Sequence, residues 1–131
     1  MGSMCVWEDS FVAGGDLSTK QFYAVELTAP NTINVTNAAT DAAIGILQNK
    51  PKAGEAATVM HLGRSYAVSD GSSVAIAAGD WVGPNASGVL VKKATANFST
   101  IGRALTPSAA ANILIEVALG YPAGVFTTPA G

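Results

Sequence analysis

Apolar residues fall in short runs separated by turn-forming residues, with no sustained helical stripe. In Gln21–Leu27, Tyr23, Val25 and Leu27 recur at period two and predict a half-buried strand. Pro30-Asn31 then turns the chain into a short strand at Thr32–Val35. The stretch Thr36–Ala43 has room for one helical turn around Asp41. Ala43–Gln48 and Ala57–Leu62 flank the polar segment Asn49–Glu55 and predict a hairpin with a long loop. Gly63 predicts a bulge or bend before the strand resumes at Ser65–Val68, and Asp70-Gly71 closes that segment. Val74–Ala78 leads to Trp81–Gly83, the turn Pro84–Gly88 and a strand at Val89–Lys92. Phe98–Leu105 and Ile113–Leu119 predict a last hairpin across Thr106-Pro107-Ser108.

Eight or nine short strands without a strong helix predict an all-β fold, a small barrel or sandwich closed enough to hide its edges. Residues 1–16 read as an N-terminal arm ending in Gly14-Gly15-Asp16, residues 17–119 as the packed domain, and residues 120–131, with Pro122 and Pro129, as a C-terminal arm. Two stretches look alike. Ile44-Gly45, Leu47, Pro51 and Ala53 lead to Leu62-Gly63, and Ile101-Gly102, Leu105, Pro107 and Ala109 lead to Leu119-Gly120. One hairpin used twice and common hairpin grammar both account for this pattern, whereas a solenoid needs at least three repeats.

The 131 residues fit one domain, and charged residues make up only 12%, about half the usual share. Sixteen charges spread over the roughly 6,400 Å² expected for this mass suggest that part of the surface is covered by other protein, copies of this chain included. Seven scattered cations in a chain of net charge −2 supply no footprint for nucleic acid, and no apolar stretch is long enough to span a membrane as a helix. Cys5 is the only cysteine, which excludes an internal disulfide and a thiolate metal cluster. Met1–Cys5 does not have the form of a secretory signal, and Met1-Gly2-Ser3 has the form of a cloning remnant; a soluble protein made in a reducing cytoplasm is expected.

No enzyme constellation emerges. His61 is the only histidine and lacks the spaced carboxylates or second histidine of a metal site, so it reads as a packed or surface residue. Gly63-Arg64-Ser65-Tyr66-Ala67 approaches a nucleophile elbow but lacks the final glycine and precedes a strand. There is no Gly-Lys pair for a phosphate loop and no dinucleotide-binding glycine pattern, so no cofactor is expected. Trp7, Phe11, Tyr121 and Phe126 are large aromatics on the terminal segments. They are candidates to anchor in a partner's pocket, or to fold back over the domain's own edges.

Read together, Gly15-Asp16-Leu17 with QFYAVEL, AIGILQNKPKAGEAATV, Gly63 with SYAV, IAAGDWV, and IGRAL followed by ILIEVAL resemble a family of small tailed-phage proteins. These are regarded as capsid decoration or cement proteins. The resemblance spans Gly15 to Leu119, and AIGILQNKPKAGEAATV is its most specific piece. Some members carry a recombinase label of the RecA/RadA type, which the missing phosphate loop and the short chain do not support here. The resemblance implies a non-enzymatic β-barrel protomer, commonly a homotrimer, bound to the major capsid protein on the outside of the virion shell after synthesis in the host cytoplasm. A second reading is a capsid-displayed module that grips host-surface glycans, with Trp81 and the Pro84–Gly88 turn as its candidates.

Overall fold

A computed structural model describes residues 4–93 and 98–126; for residues 4–6, 98 and 121–126 it describes the strands alone. The described residues form nine strands and no helix: β1 (Met4–Ala13), β2 (Ala24–Ala29), β3 (Thr32–Val35), β4 (Gly45–Leu47), β5 (Ala56–Asp70), β6 (Trp81–Pro84), β7 (Leu90–Lys92), β8 (Phe98–Ala104) and β9 (Ala111–Phe126). The all-β barrel expectation holds. The helical turn expected at Thr36–Ala43 is instead an irregular loop, in which the Asp41 carboxylate accepts the backbone N–H groups of Asn37 and Ala38. A side-chain acceptor this close competes with helical bonding.

The strand order β1-β3-β2-β4-β5-β7-β6-β8-β9 closes on itself twice, because β5 also pairs with β1 and with β9. One circuit of five strands runs β1-β3-β2-β4-β5, and the other runs β5-β7-β6-β8-β9. The long strand β5 belongs to both. Ala56–Arg64 pairs with β1, and Gly63–Asp70 pairs with β9. Gly63, at φ +127°, sits at the handover, a conformation that glycine adopts without strain. Neighbouring residues of β5 face different cores. Val59 packs with Ala13, Leu17, Val25, Ile33 and Leu47, whereas Met60 packs with Val82, Leu90, Ile115 and Val117.

The likeness between the two hairpins extends to the whole barrel. The pairs Val25↔Val35, Glu26↔Asn34 and Leu27↔Ile33 recur 57 positions later (Val25 to Val82) as Val82↔Lys92, Gly83↔Val91 and Pro84↔Leu90. At the same offset Ala24↔Ile46 becomes Trp81↔Arg103, and Glu8↔Met60 becomes Ser65↔Val117. Loop bonds follow too. Phe22 N–H to Leu47 O is matched by Gly79 N–H to Ala104 O, and Thr36 N–H to Ala24 O by Lys93 N–H to Trp81 O. The chain is therefore two copies of one five-strand unit, with β5 both the last strand of the first and the first strand of the second.

Met4–Ala13, expected as part of an arm, is a strand hydrogen-bonded to β5 and, at its C-terminal end, to β3. The reason is the repeat: β1 fills in the first barrel the place that the C-terminal half of β5 fills in the second. Likewise β9 continues without a break through Phe126, with Phe98, Ser99 and Thr100 opposite Phe126, Val125 and Gly124. Residues 127–131 of the expected C-terminal arm lie outside the described residues, as do Met1–Ser3.

Gly45 and Gly102 occupy equivalent places where backbones approach closely. A Cβ on Gly45 would collide with the Met60 carbonyl, and one on Gly102 with the Ala118 carbonyl. Gly45→Ala and Gly102→Ala are each expected to lower unfolding free energy by about 1–3 kcal/mol, read as a reduced urea midpoint with an unchanged slope.

Candidate functional site

The first barrel is open at one end. Along β5, Ala57 and Val59 are fully buried, and His61 continues the same alternating face to the rim. On β2, Val25 is buried while Leu27, two residues on, is half exposed. The period-two face read in Gln21–Leu27 therefore runs from half-buried Tyr23 through the core and out to the rim.

At this opening lies a groove of about 600 Å³, walled by Trp7 and Phe11 of β1, Leu27 of β2, Ile44 of the loop before β4, and His61 and Leu62 of β5. Trp7 is 53% exposed and Leu27 50%. Two of the four aromatics singled out in the sequence meet here around His61. The Trp7 and His61 ring centroids are 4.4 Å apart, and Phe11 meets the same imidazole edge-on at 5.7 Å. Tyr121 and Phe126 lie on β9, but their side chains are outside the described residues.

Of the two readings left open for His61, packed or surface, the structure shows the packed one. The His61 Nδ1–H donates to the Ile44 carbonyl at 2.7 Å, which fixes the ring. Nε2 is buried and meets no hydrogen-bond partner among the described residues; the Asp9 carboxylate lies 3.7 Å away. That separation is too long for a hydrogen bond. The groove thus presents a large apolar surface with one carboxylate on its rim, a composition suited to holding a protein side chain. Leu27, Ile44, His61 and Leu62 were not anticipated. The alternation Ala57, Val59, His61 was the available signal for His61, but where a barrel face stops being covered is a tertiary fact.

The rim loop is shaped by two carboxyl groups. The N–H donors of Asn37 and Ala38, the first foremost, and a contact with Glu26 hold Asp41 below its ordinary value of 3.8, against some burial. Burial first, and then the neighbouring Asp41, push the Glu26 carboxyl up. Behind the loop, Lys93 Nζ donates to Ala39 O at 3.0 Å, and burial lowers its basicity. Ser99 Oγ donates to Asp41 O at 2.6 Å, so the second barrel anchors the rim of the first.

The other candidates are placed as follows. Ser65 is buried within β5, where its hydroxyl donates to Tyr66 O and accepts from Gln48 Nε2; it does not stand at a strand-to-helix turn. The Arg103 guanidinium covers Trp81 at 4.9 Å from the ring centre, and Pro84 and Gly88 are buried. That leaves the face expected to hold a glycan partly occupied. Among the described residues, no group of three or more His, Cys, Asp or Glu is arranged to hold a metal ion.

No protein-family model matches the sequence, and no curated protein does. Among solved structures, the fold is similar to that of the N base of the head fibre protein gp8.5 of bacteriophage phi29. The TM-score is 0.58 at 14% sequence identity, over 87% of this chain and 93% of that one.

Asp41 supplies a check on the rim. Because its folded value lies below 3.8, its contribution to stability is present above that pH and is lost as the pH falls through the folded value. Asp41→Asn removes this contribution. Its melting temperature, followed by circular dichroism from about pH 5 to about pH 2.5, is expected to fall less steeply than that of the parent.

Proposed function

We propose that this chain is a non-catalytic structural protein of a tailed-phage head: a decoration or cement protein that binds the outside of the major capsid protein shell as a homotrimer and stabilises it. The observation that carries this reading is the fold. It matches the base of a phage head fibre over nearly the full length of both chains, so the likeness concerns the whole domain and not a common hairpin. Two further features support it. The sequence resembles the decoration family from Gly15 to Leu119. The groove exposes Trp7 and Leu27 in a chain with few charges, and exposed apolar clusters of this kind mark protein interaction surfaces.

The mechanism is linkage. A protein that binds only the assembled shell stabilises it by RT ln(1 + [L]/Kd), about 2.7 kcal/mol per site when the free protein is at 100 times Kd. A trimer that touches several shell subunits gains further from effective concentration, since each contact made holds the others in place. Rigidity helps. Two closed barrels lose little conformational entropy on docking, so more of the contact energy is retained as affinity.

Phage particles carrying the protein are expected to keep their DNA through heating and osmotic shock that empties particles lacking it, and added purified protein should restore that resistance. Unchanged resistance in its absence, together with binding of the isolated protein to a glycan array, would replace this reading with the displayed-adhesin one.

A further inference from the structure

The internal repeat provides a reference for the open groove, because the chain contains the same surface in a covered state. In the second barrel part of the equivalent rim is buried against the first barrel, although Arg64, the counterpart of Trp7, keeps its side chain 39% exposed. Pro84 and Gly88 are buried, whereas Leu27 and Asn31, 57 positions earlier (Leu27 to Pro84), are exposed. Ser99 is fully buried, whereas Ala42 is exposed. The cover is a defined face of the first barrel. Ala24 N–H donates to Gly88 O, and Thr36 Oγ1 donates to Asn85 O. A side chain added at Gly88 would strike Val35, and Phe22 packs against the second core. Among the described residues, no barrel precedes the first one to cover its rim.

The face that does this covering also has a counterpart 57 positions later, around Gly79, Asp80, Trp81 and Lys92 at the far side of the second barrel. Among these, Gly79 is exposed and open around its α-carbon, and Lys92 is exposed. The molecule therefore carries both halves of one contact, each at a different end. We infer that the groove of one copy is covered by the Gly79–Lys92 face of a second copy, repeating between molecules the junction that joins the two barrels within one.

Charge favours the same pairing. Residues 4–60 hold six carboxylates against three lysines, whereas residues 61–117 hold three carboxylates against four cations, so the two units are oppositely charged. Asp9 stands on the groove and Glu26 on the strand beside it, while the opposite face carries Arg103 over Trp81 and Lys92 paired with Asp80 at 3.5 Å. Complementary charge steers such an encounter and penalises the like-with-like alternative. Size is exchanged as well. The covering face within the chain presents Phe22, but its counterpart has Gly79, leaving room for the Trp7 and Leu27 that the first barrel exposes. A contact between two different surfaces is head-to-tail, and copies joined in this way close into a ring when the rotation per step permits. This rests on the self-association in the proposed function and supplies its interface.

A mixing experiment tests the polarity. Leu27→Asp spoils the groove and leaves the covering face intact; Ala78→Glu with Lys92→Glu spoils the covering face and leaves the groove intact. All three positions are exposed; Lys92→Glu also loses the ion pair with Asp80, so a cooperative circular dichroism melt is required of each variant as the sign that it stays folded. In sedimentation velocity the parent is expected to be oligomeric and each variant monomeric, with self-affinity weakened at least about tenfold. An equimolar mixture should form a dimer, because one intact groove meets one intact covering face. A mixture that stays monomeric, or a parent that is monomeric at about 100 μM, overturns the head-to-tail contact. Particle stabilisation is measured separately. If the monomeric parent still protects particles, the interface fails while the capsid role stands; if Leu27→Asp abolishes particle binding from a monomeric parent, the groove belongs to the shell.

Discussion

The architecture depends on β5 belonging to both barrels. A five-strand ring of this size encloses few side chains, and such a small core gives little stability alone. By running through both rings, β5 lets Val59 contribute to one core and Met60, its neighbour, to the other. The cores therefore fold together, and the stability of each barrel is tied to the other through a continuous backbone. Gly63 is the residue that allows the strand to leave one ring for the next without strain.

Sharing a strand also creates a direction. Among the described residues the first unit covers the rim of the second, which leaves the first barrel's rim and the second barrel's equivalent of the covering face without a counterpart there. The groove around Trp7, Phe11 and His61 is the unmatched rim. Its aromatic content is not a defect in packing: the His61 ring is fixed by Ile44 and held between two aromatic side chains, which gives the exposed surface a defined shape. Preformed, apolar and bordered by the Asp9 carboxylate, such a surface loses little entropy when it is covered.

The loop between β3 and β4 shows how the two barrels cooperate at this site. Asp41 organises the loop from within, and Lys93 and Ser99 hold its carbonyls from the second barrel. A residue read as the centre of a helical turn is instead the centre of a hydrogen-bonded loop. Local propensity permitted both, and the buried donors reaching in from residues far along the chain selected one.

From the amino-acid order alone came the all-β class, nearly every strand, the bend at Gly63 and the attention to Trp7 and Phe11. These follow from local chemistry: period-two alternation, turn residues and large aromatics in unusual places. The likeness of the Ile44 and Ile101 stretches was also visible, yet its extent was hidden, because a repeat is conserved here in hydrogen-bond register while side chains at equivalent positions differ, as at Leu27 and Pro84. Only the tertiary structure decided that Met4–Ala13 is a strand, that His61 and Leu27 join Trp7 and Phe11, and which rim is left bare. Each depends on pairing between residues remote in the chain, and alternation reports which side a residue faces without reporting what, if anything, stands opposite.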